Sequence, residues 1–218
     1  MTRVFADRIE AGRALARRLL ETHARGEPLA VLALPRGGVP VGAEIARAFG
    51  APLDLILVRK IGVPWQPELA LAAVVDGAAP EIVVDEEVMR ETRLDRAYID
   101  SQAKVQLTEI ERRRVLYLGA RAPVLVEGKT AIVVDDGIAT GTTMRAALRA
   151  LRRRKPASLV LAVPVAPRET IEALRGEVDE VVCLAQPEPF YAIGLHYADF
   201  HQLEDAEVTA ALASVERG

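Results

Sequence analysis

The sequence predicts an α/β fold with a mostly parallel central sheet and helices on both faces. Apolar strand-like runs alternate with helix-like segments along the chain, which is the pattern of a parallel sheet. The strand-like runs are apolar throughout, as expected for strands that are covered on both sides. The chain has 218 residues, of which 50% are hydrophobic and 27% charged, and this suffices for a large core. We therefore treat residues 1–218 as a single domain.

The first quarter of the chain predicts a helix, a strand, a second helix and a second strand. Apolar residues at helical spacing between positions 9 and 20 indicate the first helix. Residues 29–34 form a continuous apolar run and predict the first buried strand. Residues 40–50 predict a short helix that begins with a proline and ends at a glycine. Residues 53–58 predict the second buried strand.

The middle of the chain departs from this alternation. Residues 72–75 and 81–84 flank Asp76-Gly77 and predict a β-hairpin. Residues 86–118 predict one long charged helix with a patchy apolar stripe. Such a helix either projects from the domain or packs against a second subunit, so a homodimer is one expected assembly.

The second half returns to alternating strands and helices. Residues 131–134 predict a third buried strand, which a loop at 135–143 joins to a helix. Residues 187–200 are irregular and rich in aromatic side chains. The remaining predicted elements are helices at 144–155, 168–174 and 204–215 and strands at 159–163 and 180–184.

Charge and composition argue against several classes of protein. The chain has 28 basic and 31 acidic residues, a net charge of −3, so we expect no nucleic acid as partner. Cys183 is the single cysteine, which excludes a disulfide framework. No apolar run approaches the ~18 residues of a membrane span, and we expect a cytoplasmic protein without a membrane partner. The absence of Asn and the excess of Arg over Lys suit either a thermostable protein or a GC-rich genome.

The most informative segment is 131–143. Its buried strand ends in Asp135 and Asp136, and a loop of small residues then opens a helix. Free backbone N–H groups at a helix start bind anions, helped by the helix dipole. A phosphate cradle beside two carboxylates suits a sugar phosphate, because carboxylates accept hydrogen bonds from ribose hydroxyls. The alternative is a pair of strand-end acids that caps the helix. The loop residues concerned are Ala139, Thr140, Gly141, Thr142 and Thr143.

This segment resembles the signature of type I phosphoribosyltransferases, which use phosphoribosyl pyrophosphate (PRPP). The shared pattern is four apolar residues, two acids, a small loop and Thr-Gly-x-Thr/Ser. The resemblance implies that residues 139–143 hold the 5′-phosphate, and that Asp135 and Asp136 hold the ribose and favour an oxocarbenium-like transition state. It also implies the family's fold with a C-terminal hood at 185–218. An insertion at 62–120 would contain a flexible loop, the hairpin and the long helix.

Two further loops support the resemblance. Arg36-Gly37-Gly38 follows the first strand and is similar to the family's pyrophosphate loop, although the same residues also make ordinary strand-to-helix turns. Arg59-Lys60 follows the second strand and is similar to a basic pair that members acting on adenine or orotate direct at pyrophosphate. The alternative for this pair is a solvated strand end. Carboxyl ends of neighbouring parallel strands share one sheet edge, so we expect these loops to converge.

The implied reaction displaces pyrophosphate from the anomeric carbon of PRPP by a nitrogen of a nucleobase or related heterocycle. Asp135, Asp136, Arg59 and Lys60 would be the catalytic residues. Mg²⁺ is the implied cofactor, held by PRPP near the acid pair without a direct protein ligand. A 6-oxopurine acceptor is disfavoured, because members that use one have an acid where Ala139 stands. A non-catalytic PRPP-binding regulatory module needs the same cradle and is the alternative.

Aromatic residues are the candidates for contacts to the acceptor. Trp65 lies in the predicted flexible loop at 61–74, and Tyr191 and Tyr197 lie in the hood, where a ring can stack on a base. Aromatic packing of a C-terminal cap is the alternative for the two tyrosines. Glu68 is a further candidate in the loop, for which a salt bridge or a helix start is the simpler role.

Overall fold

The computed structural model describes residues 4–77 and 80–216, without the side chains of Glu68 and Glu216. The strands are β1 Leu29–Ala33, β2 Leu53–Leu55, β3 Val58–Val63, β4 Gln66–Val75, β5 Glu81–Val84, β6 Thr130–Val134, β7 Ser158–Val165 and β8 Glu180–Ala185. The helices are α1 Arg8–Leu19, α2 Gly38–Phe49, α3 Glu86–Thr92, α4 Arg96–Leu118, α5 Thr142–Arg153, α6 Arg168–Leu174 and α7 Asp205–Glu216. Short 3₁₀ turns stand at Arg175–Glu177 and Ile193–His196.

The main sheet has five parallel strands in the order β2-β1-β6-β7-β8. The strands β1, β2, β6 and β7 are almost fully buried because their apolar residues supply two cores, one on each face. β8, at one edge of the sheet, is half-buried apart from Val182. Buried residues of α1, α2, α4 and α7 contribute to one core, and buried residues of α5 and α6 to the other. The predicted parallel sheet with helices on both faces is confirmed.

The segment predicted as a flexible loop is instead most of an antiparallel sheet. β3, β4 and β5 pair in that order, and β4 and β5 form the predicted hairpin around Asp76-Gly77. The prediction for 61–74 was wrong because Gly62, Pro64 and Pro67 do not end the pairing of β3 with β4, although its register shifts at Gly62. Pro64 lies in the turn between β3 and β4, and the absence of a side chain at Gly62 accommodates Pro67, whose carbonyl oxygen would lie 2.3 Å from an added Cβ. The second strand was predicted over 53–58 but ends at Leu55. Val58 belongs to β3, the first strand of the antiparallel sheet.

The predicted long helix is two helices. Arg93 adopts a left-handed conformation with φ +56°, which ends α3, and the Asp95 side chain then caps α4 by accepting from the Tyr98 N–H. α4 does not project, because Ile99, Ala103 and Ile110 are buried in the core that it shares with β3 and β4. None of the helices in the described ranges is both long and apolar enough to cross a membrane.

The hood begins as an irregular segment and ends in α7. Phe5, near the start of the described chain, forms an isolated parallel bridge with Tyr197 and packs against its ring. The start of the described chain is therefore joined to the hood beside β7 and α1, in a small aromatic core that includes Phe190 and Phe200. This junction lies next to the carboxyl end of β6, where the acid pair stands.

Candidate functional site

The loops after β1 and β6 meet at the carboxyl edge of the main sheet. β1 and β6 are paired in register, with Ala33 opposite Val134, and the Leu34 N–H donates to the Val134 carbonyl at 2.9 Å. Close approach of the two loops depends on glycine. A Cβ at Gly37 would lie 2.0 Å from Oδ2 of Asp136, and one at Gly38 would lie 2.7 Å from the Val134 carbonyl oxygen. The predicted convergence of these two loops is therefore present in the fold.

The two acids of the signature have different surroundings. Asp135 is half-buried and its Oδ1 accepts the backbone N–H of Asp136 at 2.9 Å. Asp136 is buried, and its Oδ2 accepts the Nε–H of Arg8 at 2.8 Å. Burial and the neighbouring Asp136 carboxylate raise the pKa of Asp135 well above its usual value. Burial also raises the pKa of Asp136, although the Arg8 guanidinium opposes the shift.

Arg8 is a site residue that the sequence reasoning missed. It lies at the start of α1 on the buried face of that helix, which also includes Ala11, Leu15 and Leu19. The apolar spacing predicted from position 9 onward begins with Ile9, whose side chain is exposed in the structure. An arginine on the buried face of an amphipathic helix is the signal that identifies it, because such a charge needs a partner.

The loop at 139–143 is open to solvent and is held from below. Ala139, Thr140 and Thr142 are exposed, and Gly141 has φ +75°, a left-handed conformation that favours glycine. The buried Thr170 hydroxyl donates to the Ala139 carbonyl at 2.6 Å. α5 starts at Thr142, so the N–H groups of its first turn have no acceptor within the helix. The loop therefore has the form of an anion cradle.

The predicted basic residues are only partly brought together. Nη1 of Arg36 lies 3.8 Å from Oδ1 of Asp205, at the start of α7. Arg59 lines a small cleft together with Pro35 and Thr143, which brings the three predicted loops to one place. Its Nε donates to Oε1 of Gln106 in α4 at 3.1 Å.

Lys60 does not accompany Arg59. Neighbouring residues of a strand point to opposite faces of the sheet, so the two side chains diverge from β3. Lys60 is exposed, whereas Arg59 is half-buried on the side of α4. A paired basic clamp, as the resemblance implied, is therefore not formed by β3.

The candidate acceptor residues differ in exposure. The prediction that Tyr197 stacks on an acceptor is corrected by the structure, because its ring is 2% exposed, packs on Phe5 and Phe200, and donates its hydroxyl to the Asp136 carbonyl at 2.6 Å. Trp65 and Tyr191 are exposed and stay predictions. The side chain of Glu68 lies outside the described residues.

The cleft next to the acid pair has a volume of about 350 Å³ and separates the 36–38 loop from the hood. It is lined by Arg8, Arg36, Gly37, Asp136, Phe200, His201, Gln202 and Leu203. In the described part of the chain, no group of three or more His, Cys, Asp or Glu side chains is arranged to hold a metal ion.

Comparisons with known proteins identify relatives of this chain. Two Mycobacterium tuberculosis proteins, from strains CDC 1551 and H37Rv, bear provisional names as phosphoribosyl transferases and are each 44% identical over 215 residues. The match covers 99% of this chain and 48% of each relative, so the chain spans about half their length.

Solved structures resemble the fold. The crystal structure of TT1426 from Thermus thermophilus is 40% identical and has a TM-score of 0.84, over 96% of this chain and 98% of that chain. The AQ2163 protein from Aquifex aeolicus, at 11% identity and a TM-score of 0.50 over 81% of this chain and 73% of its own, shares the fold alone. The sequence model of the phosphoribosyl transferase domain matches residues 5–198, and the chain therefore belongs to the phosphoribosyl transferase domain family.

Proposed function

We propose that this chain binds PRPP and transfers its ribose 5-phosphate group to a nitrogen acceptor with release of pyrophosphate. One observation supports the proposal more than any other. The acid pair at the end of β6 stands between two loops that suit anions, one at 36–38 in contact with Asp136 and the other at 139–143. A donor with a phosphate at one end, a pyrophosphate at the other and a diol between them fits this order of groups.

In this proposal the 5′-phosphate binds the amides and hydroxyls of residues 139–143. The half-buried Asp135 accepts hydrogen bonds from the ribose hydroxyls, together with the part of Asp136 that reaches the cleft. Arg36, the amide of Gly37 and Arg59 oppose the charge of the pyrophosphate. The N–H of Gly38, which the resemblance implied as a further donor, is already engaged by the Leu34 carbonyl at 3.0 Å. Lys60 would contribute only after its side chain reorients, because it leaves β3 on the face opposite to Arg59.

The reaction is a substitution at the anomeric carbon. The bond from this carbon to the pyrophosphate oxygen breaks with its electron pair, a bond to the acceptor nitrogen forms on the opposite face, and the configuration inverts. The nitrogen transfers its proton to the departing pyrophosphate, which is a base. The two carboxylates favour the positive charge on the sugar, and the arginines favour the charge on the leaving group, so catalysis consists of positioning and electrostatics.

The donor atoms at the acid pair fit a Mg²⁺ ion that is bound mainly by oxygens of the substrate. Asp135 offers a half-buried carboxylate, whereas Oδ2 of Asp136 is engaged by Arg8. Mg²⁺ commonly keeps its waters and uses few protein ligands when it binds a phosphate substrate. When bound, it would neutralise part of the pyrophosphate charge.

The proposed acceptor is a nitrogen heterocycle. A nucleobase or a related nitrogen heterocycle fits a cleft of about 350 Å³ beside the acid pair. A 6-oxopurine acceptor is disfavoured, because Ala139 stands where family members that use one have an acid. Trp65 and Tyr191 are exposed aromatic side chains that could stack on the acceptor.

Calorimetry with PRPP and Mg²⁺, followed by pyrophosphate release over a panel of bases, tests the proposal. We expect PRPP binding that requires residues 139–143, and pyrophosphate release with at least one base. No heat of binding at millimolar PRPP would reject the proposal. Binding without pyrophosphate release from any base would favour the alternative, a regulatory module that binds PRPP without catalysis.

A further inference from the structure

We infer that Arg8 is a positioning residue of the site, which sets the orientation of the Asp136 carboxylate and fastens the hood to it. This inference rests on the proposed function, because its consequence is a change in PRPP binding. The first helix would then belong to the binding machinery, although it lies far from the signature in sequence.

The first step is the ion pair itself. Nε of Arg8 lies 2.8 Å from Oδ2 of Asp136, and the two side chains are 9% and 11% exposed. Removal of one partner from such a pair leaves a buried charge without compensation. Arg8 also offsets the charge of two adjacent carboxylates, Asp135 and Asp136, in a place where a ligand with several negative charges is expected to bind.

The second step is the contact with the hood. Nη1 of Arg8 donates to the His201 carbonyl at 3.0 Å, and the guanidinium carbon lies 3.9 Å from the centroid of the Phe200 ring. A planar guanidinium can make these contacts and the ion pair at the same time, whereas a lysine ammonium cannot stack in this way. Arg8 therefore joins the acid of the signature to the hood through one rigid group.

The third step links Arg8 to the 36–38 loop. The Asp136 carboxylate presses against Gly37, where an added Cβ would lie 2.0 Å from Oδ2. A carboxylate released from Arg8 could rotate, and it would then move either into this loop or into the cleft. The orientation that Arg8 imposes thus determines the shape of the loop that is proposed to hold pyrophosphate.

The test compares Arg8→Gln, Arg8→Lys and a matched control, Arg13→Gln. Arg13 lies in the same helix and pairs with Glu44 at 3.0 Å, but its side chain is largely exposed and the residue is not part of the cleft. The measurement is the dissociation constant of PRPP with Mg²⁺ by calorimetry, with circular dichroism as a check on folding. We expect Arg8→Gln to weaken binding at least tenfold, Arg8→Lys about threefold, and Arg13→Gln less than twofold.

A double variant separates positioning from a general loss of structure. If Arg8 acts through Asp136, Arg8→Gln added to Asp136→Asn should weaken PRPP binding by less than twofold beyond Asp136→Asn alone. Two results would overturn the role of Arg8. One is a loss of PRPP affinity in the double variant equal to the product of the losses in the two single variants. The other is a dissociation constant of Arg8→Gln within twofold of that of the unaltered protein. If Arg8→Gln fails to fold, Arg8→Lys decides, since a loss of more than twofold supports the role and a smaller loss rejects it. Failure of the unaltered protein to bind PRPP rejects the proposed function, and the inference with it.

Discussion

The two loops proposed to bind the ends of PRPP are built in different ways. The 36–38 loop is enclosed by side chains, since Gly37 lies against the Asp136 carboxylate and Arg36 lies near Asp205. The 139–143 loop exposes its upper surface and is supported from below by the Thr170 hydroxyl. One loop depends on a network of charges within the protein, and the other depends on backbone amides that a ligand can reach directly.

This difference separates two ways in which a substitution can weaken binding. In the enclosed loop, a substitution that moves the Asp136 carboxylate also disturbs its ion pair with Arg8 and the contact of Arg8 with the hood. The free energy of unfolding and the affinity for the ligand should therefore change together. In the open loop, a side chain can be altered without loss of packing, so ligand binding should change alone. The predictions below test this separation, and the largest expected effect comes first.

Gly37→Ala should have the largest effect. The new methyl group would lie 2.0 Å from Oδ2 of Asp136, so either the carboxylate or the loop must move. Overpacking of this kind lowers the free energy of unfolding by about 1–3 kcal/mol. We expect PRPP binding to weaken about 100-fold, equivalent to about 2.7 kcal/mol. Calorimetry and thermal unfolding measure the two quantities.

Gly176→Ala is the control for Gly37→Ala. A Cβ at Gly176 would meet nothing within 4 Å, so Gly176→Ala should leave both stability and PRPP binding unchanged. Equal losses of stability in Gly37→Ala and Gly176→Ala would show that the Asp136 carboxylate does not constrain Gly37.

Asp136→Asn should have the second largest effect. The substitution removes the negative charge that pairs with Arg8 and leaves the guanidinium buried without its counter-charge. We expect pyrophosphate release to fall at least about tenfold while the fold survives, because a neutral amide can still accept a hydrogen bond. The control is Glu44→Gln, which breaks the Arg13 ion pair away from the cleft. An unchanged rate in Asp136→Asn would remove this acid from the mechanism.

The sequence predicts those elements that depend on neighbouring residues and not those that depend on contacts with distant parts of the chain. The strands of the main sheet could be predicted because each is a continuous apolar run, and burial of such runs needs no knowledge of partners. The antiparallel sheet could not be predicted, because Gly62 and Pro67 break a strand in isolation. They are accommodated only where β3 meets β4, at the position where the register of the two strands shifts. The end of α3 at Arg93 lacked a glycine or proline to mark it, and the Asp95 cap was the available signal.

The site shows the same division. The cradle at 139–143 and the acid pair could be predicted because they form one short segment with a local motif. Arg8 and Tyr197 reach Asp136 only through the fold, from positions 128 and 61 residues away. The burial of Tyr197 also has a tertiary cause, since its bridge to Phe5 joins the hood to a segment 192 residues earlier in the sequence. Lys60 was predicted with Arg59 because sequence adjacency conceals the alternation of a strand.

Thr142→Val should have a smaller effect that is confined to the ligand. Thr142 is exposed at the first position of α5, and valine retains its shape without the hydroxyl. A hydrogen bond to a charged group contributes about 1.5–3 kcal/mol, and solvent exposure places this one at the lower end. We expect PRPP binding to weaken about tenfold or less, with no change in the unfolding midpoint. A fall in stability would contradict the description of this loop as open.

The smallest effects on PRPP affinity are expected when one hydroxyl is removed beneath each loop, and these two variants compare the loops most directly. The Tyr197 hydroxyl donates to the Asp136 carbonyl and the Thr170 hydroxyl donates to the Ala139 carbonyl, each at 2.6 Å and each from a buried side chain. Tyr197→Phe and Thr170→Val should therefore reduce the free energy of unfolding by similar amounts, about 1–2 kcal/mol, because each leaves one carbonyl without its donor.

The two variants should differ in their affinity for PRPP. In Tyr197→Phe, Asp136 is still held by Arg8, so we expect binding within twofold of that of the unaltered protein. In Thr170→Val, the Ala139 carbonyl loses the support identified beneath the cradle, and we expect binding to weaken about threefold. Calorimetry on both variants at one temperature decides the matter. The opposite order would mean that the open loop holds its shape without Thr170 and that the enclosed loop depends on more than the Arg8 ion pair.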